Sequence, residues 1–256
     1  MYYYIFDIKK CKKRSQVENI KEYLASLGIS GEFTYPSAAQ SVEELVRLGL
    51  SKQYTTIVAI GGDDICNAVA SVMVGKKEAM GFIPLEISPE LAIVIGADNW
   101  KSACDVLRFR KIIELRLGKT ATGKHFLTYA KLDLKYPAEV TIEIKGYIVQ
   151  ARAKDLMISN FHPEIKKIGD DFLDIIMTSV EPEGSIISKF SNFLGIEKKT
   201  TDNSYTLLRA RSLRLFTKTQ MPIVAGGVTI AKTPQFIESS DDLLRLITAK
   251  KAVELS

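Results

Sequence analysis

The sequence predicts a two-domain protein, with an N-terminal Rossmann-like three-layer α/β domain over residues 1–117 and a C-terminal β-sandwich domain over residues 118–256. Three observations predict it. Strand-like apolar runs alternate with amphipathic stretches through the first half, the pattern of a parallel sheet covered by helices on both faces. Within that half, Thr56-Ile57-Val58-Ala59-Ile60 is almost entirely apolar and rich in β-branched residues, as expected of a strand buried on both sides. Beyond Gly118-Lys119 the pattern changes, and strand-like runs follow one another with turn signals but no long helix between them.

Taken in order, residues 2–8 predict the first strand, followed by a basic segment, Lys9 to Arg14. Ser15 is a suitable helix cap, after which Val17, Ile20, Tyr23 and Leu24 recur on one face. Residues 31–35 predict a second strand, and Ser41-Val42-Glu43-Glu44 opens a second helix. The strand at 56–60 turns on Gly61-Gly62, and a helical pattern runs from Asp63 to near Gly75. Residues 80–85 give a fourth strand. In the second domain strands are expected at 126–130, 139–144, 147–158, 173–180, 207–217, 223–230 and 243–247, with a short amphipathic helix or loop at 186–194.

Bulk properties exclude several classes. The net charge of +5, from 35 basic and 30 acidic residues, suits an anionic ligand or a membrane surface and is too small to argue for nucleic acid. Cys11, Cys66 and Cys104 are far apart and lack metal-ligand spacing, so a reduced, cytoplasmic chain is expected. The first residues have no basic leader pattern, and no apolar run approaches the ~20 residues a spanning helix needs, which leaves peripheral membrane contact only. His125 and His162 are read as ordinary surface or loop residues.

Strand, glycine turn and helix N-terminus at 56–67 together make a natural place for phosphate: glycines admit a ligand close to the backbone, and the first helical N–H groups point outward. The heptad Gly61-Gly62-Asp63-Asp64-Ile65-Cys66-Asn67 resembles the Gly-Gly-Asp-Gly-Thr-Leu-Asn signature of the diacylglycerol kinase catalytic family at Gly61, Gly62, Asp63 and Asn67. That family includes sphingosine kinases and bacterial lipid kinases and shares its nucleotide fold with NAD kinases. Gly81-Phe82-Ile83-Pro84-Leu85 is similar to its Gly-x-x-Pro-Leu strand. Ile112-Ile113-Glu114-Leu115 before Phe126-Leu127 looks like its domain crossover, and Leu156-Met157-Ile158-Ser159-Asn160 like its strand ending in asparagine. Asp170-Asp171-Phe172-Leu173-Asp174 resembles Asp-Gly-Leu-Leu-Asp, and Thr233-Pro234 with its flanking strands resembles the C-terminal hairpin.

The catalytic words depart from that pattern. Where the family reads Asn-Pro-x-Ser-Gly, this chain has Asp7-Ile8-Lys9-Lys10. Its second glycine loop, Gly-Thr-Gly-Asn-Asp, is here Glu86-Ile87-Ser88-Pro89-Glu90, without either glycine and with a proline that has no N–H. A carboxylate about 5 Å from a phosphate charge costs roughly 3 kcal/mol at an effective dielectric of ~20. Asp64 and Ile65 stand for the third glycine and the threonine of the first loop. The general base of the family lies in an Asp-Gly-Glu turn, for which the best match is Ala225-Gly226-Gly227.

The resemblance implies ATP and Mg as cofactors, a lipid hydroxyl as acceptor, nucleotide contacts at Gly61, Gly62, Asp63 and Asn67, and a metal-binding loop at Asp170. The residues themselves leave alternatives: Asp63 as a helix cap, Asn67 as an exposed helical residue, Asp170 and Asp174 as a solvated acidic turn. Trp100 is expected to pack in the core or between domains. The losses at three loops predict a lipid kinase-like protein with reduced or lost catalysis and no assigned catalytic residue. Glu86 and Glu90 are the candidate substitutes if it is active. The alternatives are a non-catalytic lipid-, nucleotide- or protein-binding module, and an interaction module acting as a homo-oligomer.

Overall fold

The computed structural model describes residues 1–13, 15–160, 171–180 and 205–249. Contacts divide these residues into two compact units, one of 1–117 with 241–249, the other of 118–160, 171–180 and 205–240. Among the described residues no helix is long and apolar enough to cross a membrane.

The first unit is built on a parallel sheet. Its strands are β1 (Tyr2–Phe6), β2 (Gly31–Thr34), β3 (Thr56–Gly61) and β4 (Ala79–Pro84), with helices α1 (Ser15–Ser26), α2 (Val42–Ser51) and α3 (Asp63–Met73) between them. The sheet order is β2-β1-β3-β4, every pair parallel. Both β3 and β4 are buried at every residue, which is why their sequences are apolar runs without alternation. Ser41 caps α2 through a reciprocal box: its hydroxyl accepts from the Glu44 amide while the Glu44 carboxylate accepts from the Ser41 amide.

Register shows how the helices cover the sheet. Tyr3 lies opposite Ile57, and Tyr4 opposite Val58 and, through it, Gly81, so these two rows point to opposite faces. On the first face α2 approaches closely: a side chain at Gly49 would stand 2.6 Å from the Tyr3 ring. On the second, a helix the sequence pattern had not marked, α5 (Trp100–Phe109), seats Leu107 against Gly81. Another unmarked helix, α4 (Pro89–Ile95), begins with Ser88 as cap and Pro89 in its first turn, and ends on Gly96 in the left-handed region at φ 72°. Trp100 packs edge-on against Tyr23 of α1, 5.7 Å between centroids, as a contact between helices within this unit.

The second unit is antiparallel β. It takes part of β5 (Lys111–Thr120), then β6 (His125–Phe126), β7 (Tyr129–Leu132), β8 (Ala138–Ile144), β9 (Tyr147–Ser159), β10 (Leu173–Ser179), β11 (Thr206–Ala210), β12 (Ser212–Thr217), β13 (Pro222–Ala225), β14 (Val228–Lys232) and part of β15 (Gln235–Thr248). The long β9 is its spine: residues 147–153 pair with β8, and residues 153–159 pair with β10 and β7. Inward residues of these strands, among them Phe126, Ile142, Leu156, Ile175, Leu215 and Ile223, form one buried cluster. Gly118 lies opposite Phe126, whose ring covers the place a side chain would need. The latter part of β15 belongs to the first unit, where Leu246 lies parallel to Met80 of β4.

Candidate functional site

Chain order in the parallel sheet reverses between β1 and β3, since β2 lies outside β1 on the other side. Crevices at such switch points, beyond the carboxyl ends of strands, are where open α/β sheets hold ligands. Here the crevice is bounded by Asp7 after β1, Gly61-Gly62 after β3, and Leu85 to Ser88 after β4. Two backbone bonds tie the three strand ends together: the Asp7 amide donates to Ile60 O at 2.8 Å and the Leu85 amide to Gly61 O at 2.8 Å.

Gly61 is required by space. A Cβ on Gly61 would stand 2.6 Å from Ile65 Cγ2 and 3.2 Å from Asp7 Cβ. Ile65, which replaces a hydroxyl residue of the resembled motif, therefore packs down onto the turn. A Cβ on Gly62 would stand 2.9 Å from Asp64 Oδ1, with Lys10 Cε and Nζ next at 3.5 and 3.7 Å. The backbone of Gly62 is extended and open to any residue, and its nearest neighbour, the end of the Asp64 side chain, can swing aside, so neither strain nor space singles out glycine there.

Asp63 is the first residue of α3, and Gly62 is the cap, which corrects the expectation that Asp63 caps this helix. Its carboxylate instead accepts the Ser88 amide at 3.2 Å, joining the first turn to the loop after β4. Asn67, read from sequence as exposed if it was not a ligand contact, is 8 % exposed and lies one turn further along α3.

Ion pairing sets the electrostatics. Lys10 Nζ, in a short 3-10 turn (Ile8–Lys10), lies 3.0 Å from Glu86 Oε2. The hydrogen bond to Glu86 raises the Lys10 ammonium above the usual lysine range, and the charges of Asp64, Glu86 and Asp7 add to the effect. Among the described residues Oδ1 of Asp64 is buried and accepts no hydrogen bond. Such an atom in a charged side chain is costly to desolvate, and the Lys10 ammonium is what offsets it. Cys66, behind the turn, has its thiol pushed well up by complete burial, with Asp63 and Asp64 adding to it.

The loop after β4 is closed on the protein itself. Its amides at Leu85 and Ser88 go to Gly61 O and Asp63 Oδ1, the Leu91 amide goes to Ser88 Oγ at 3.3 Å, and Pro89 has none to give. The first turn offers the outward N–H groups of α3 and, beside them, the Lys10 ammonium, which is paired with Glu86. This second loop does not fit the remainder of a triphosphate. Among the described residues no group of three or more His, Cys, Asp or Glu side chains is placed to hold a metal ion. Asp170, expected at a metal loop, lies outside the described residues, as do His162 and the stretch 186–194. Asp174 is 4 % exposed, and Arg209 Nε stands 3.4 Å from its Oδ1.

In the second unit, Gly226-Gly227, directly after Ala225, forms the two-residue turn of the β13–β14 hairpin. Gly226 and Gly227 have φ of 56° and 78°, the left-handed pair that a type I′ turn demands. Ala225 is 2 % exposed and its methyl belongs to the apolar cluster, so the position holds no acid or base.

Sequence reasoning marked Lys10 and Glu86 separately, one as part of a basic run and one as a lost glycine. Their pairing joins residues 76 positions apart, and no local pattern announces it.

Comparison with known proteins agrees with this architecture. Residues 9–120 match the family model described as the diacylglycerol kinase catalytic domain. A candidate diacylglycerol kinase from Bacillus anthracis str. Sterne is similar at TM-score 0.76 and 16 % identity, covering 98 % of this chain and 97 % of that one. Another structure, of a diacylglycerol kinase from the same organism, gives 0.74 at 16 % identity over 98 % of both chains. An NAD kinase from Archaeoglobus fulgidus in complex with ATP gives 0.58 at 13 % identity, covering 99 % and 96 %. No curated protein sequence matches the chain. Residues 9–120 are thus diacylglycerol kinase-like in sequence, and the chain as a whole has the two-domain kinase-like fold.

Proposed function

We propose that this diacylglycerol kinase-like chain keeps a phosphate-binding crevice at the ends of β1, β3 and β4 but transfers phosphate from ATP poorly or not at all. One observation carries the reading: the loop that would close on a triphosphate is bonded to Asp63 and to Lys10 through Ser88 and Glu86. Phosphoryl transfer to a hydroxyl rests on positioned phosphates, neutralising charge and a base near the acceptor. Here Gly61, Gly62 and the start of α3 can seat one anion, Lys10 can neutralise it, and Ala225 supplies no base.

Magnesium–ATP, where bound, would bring the transferable phosphoryl group and its neutralising charge. The residues of this chain that would meet it are Gly62 and Lys10. The acceptor suggested by the family match is a lipid hydroxyl. Ile8, 49 % exposed beside the exposed Lys9, Lys12 and Lys13, suits contact with an anionic bilayer surface.

The deciding experiment pairs binding with turnover. Melting temperature is measured with and without millimolar ATP–magnesium, and transfer of labelled γ-phosphate to diacylglycerol is measured in anionic mixed micelles. A ligand at 100 times its dissociation constant adds about 2.7 kcal/mol and shifts the melt visibly. A small shift with negligible transfer is expected. Turnover at rates of ~1 per second or more, ordinary for an enzyme, would overturn the reading.

A further inference from the structure

We infer that a surface recess of the second unit, lined by Arg152, Lys218 and Glu139, is a binding site for a small hydroxylated phosphate. The inference is independent of the crevice in the first unit and gives this chain a second ligand position.

Strand register builds the site. Glu139 of β8 lies directly opposite Arg152 of β9, and Thr217, at the end of β12, lies opposite Val140. One further step of that ladder brings Lys218 level with Glu139, so a carboxylate stands between two cations in a row across three strands. Opposite charges in such a row ordinarily pair. Among the described residues, none of these three side chains makes an ion pair or a hydrogen bond. They border instead a recess of about 320 Å³, whose other walls are Pro137, Ala138, Thr219 and Met221.

The walls are set before any ligand arrives. The Thr217 hydroxyl donates to Thr219 O at 2.6 Å. The Met221 amide donates to Thr233 Oγ1 at 2.9 Å, and the Thr233 amide returns a bond to Met221 O at 2.9 Å. Residues 218–221 are thereby fixed at both ends, and the backbone that carries Lys218 with them.

The chemistry of the walls selects the ligand class. An arginine and a lysine lining one recess match the oxygens of a phosphate, the guanidinium as a fork and the ammonium as a point charge. The Glu139 carboxylate can only accept hydrogen bonds, so it repels a bare dianion and welcomes a hydroxyl carried on the same molecule. Pro137, Ala138 and Met221 offer apolar surface to a short carbon skeleton. The volume stands at the lower end of the ~300–1,000 Å³ typical of ligand clefts, which suits a phosphate on a few carbons rather than a nucleotide.

The test is calorimetric titration of glycerol 3-phosphate, inorganic phosphate and glycerol into the full chain. Sedimentation with phosphatidylglycerol vesicles supplies the lipid-borne form of the same chemistry. The variants are Arg152→Met, Lys218→Met and Glu139→Ala, each checked as folded by its melt. Lys145→Met, an exposed cation between β8 and β9, controls for net charge, and Lys10→Met controls for the crevice. Arg152→Met and Lys218→Met should each weaken glycerol 3-phosphate about tenfold or more, the loss of one charge-assisted contact. Both controls should leave it unchanged. Inorganic phosphate should bind more weakly than the ester, and Glu139→Ala should remove that difference. This pattern with the free ester supports a soluble ligand, and the same pattern with vesicles alone supports a lipid headgroup. An equal loss from Lys145→Met would reduce the site to net charge and overturn the inference. A loss from Lys10→Met, with Arg152→Met and Lys218→Met silent, would put the phosphate in the crevice and overturn it while supporting the earlier reading. Equal affinity for phosphate and ester would overturn the hydroxylated class. Silence of both ester and vesicles would overturn the site and leave the crevice reading to its own test with ATP–magnesium.

Discussion

The Asp63 carboxylate accepts the Ser88 backbone amide at 3.2 Å, which stitches the turn after β3 to the loop after β4. In a phosphate site both partners would face the ligand. Here they face each other, so Asp63 acts as a positioning residue for the loop. A charged acceptor on a partly buried amide contributes about 1.5–3 kcal/mol, and Asp63 also favours the positive end of α3. Asp63→Ala should therefore lower stability by about 1–2 kcal/mol in urea denaturation. Asp63→Asn, which keeps an acceptor oxygen, should recover about half of that. Equal stability of all three proteins would show that the loop holds its course without this bond.

The fit of Ile65 over Gly61 gives a second prediction. Gly61→Ala places a methyl 2.6 Å from Ile65 Cγ2, closer than the turn can hold without moving. Overpacking of this kind costs about 1–3 kcal/mol. Ile65→Ala removes the opposing methyl but opens a cavity, costing about 2–4 kcal/mol alone. The double variant should be less destabilised than the sum of the two singles by about 1 kcal/mol, as contacting residues are. Strict additivity in a double-mutant cycle would deny the contact.

Ala225 invites an attempt to restore a base, and its surroundings predict the result. The residue is 2 % exposed among apolar neighbours on β13, so Ala225→Asp brings a carboxylate into the cluster without a partner. A loss of about 3 kcal/mol or more is expected at pH 7. Burial would raise the pKa of the new group, so the loss should shrink as pH falls and the carboxyl takes up a proton. Chemical denaturation at pH 7 and pH 5 checks both the size and the sign. A fully stable Ala225→Asp protein would mean that the hairpin turn opens to water at this position.

Much of the fold was legible because each layer writes a local pattern. The unbroken apolar runs of β3 and β4 announced strands buried on both faces, and the Ser41–Glu44 box announced the start of α2. What was missed lacked such a pattern. Helix α4 has only seven residues and opens on Ser88-Pro89, which reads as loop until its cap is recognised. Helix α5 follows closely and is capped by Asn99, whose carboxamide oxygen accepts the Lys101 and Ser102 amides. The Gly-Gly-Asp turn was legible as a site, yet its wiring was not. The partners of Asp63 and Lys10 come from the loop after β4, and only the parallel register of β3 and β4 brings them together. Asn67 illustrates the same limit, since helical periodicity alone does not say which polar residue the sheet will cover.

The cysteines make the last prediction, and it concerns alkaline pH. Cys104 on α5 is fully buried, and burial, with Asp105 nearby, pushes its thiol up to about 12; burial likewise pushes Cys66 well above the usual range. Both folded-state values lie above the unfolded value of about 8.5. The unfolded chain therefore loses these protons first, and ionisation favours it. The contribution to stability is fully present below pH 8.5 and declines as pH rises from there toward the folded values. Over that window each thiol should remove about 1.4 kcal/mol of stability per pH unit. Cys104→Ala and Cys66→Ala should each flatten the slope of unfolding free energy between pH 8.5 and pH 10, though both lower stability at pH 7 by leaving space in the core. In the native wild-type protein at pH 8, only Cys11, which is partly exposed, should react promptly with a thiol reagent. Rapid labelling of all three cysteines at that pH would mean that α3 and α5 open to solvent far more readily than their packing allows.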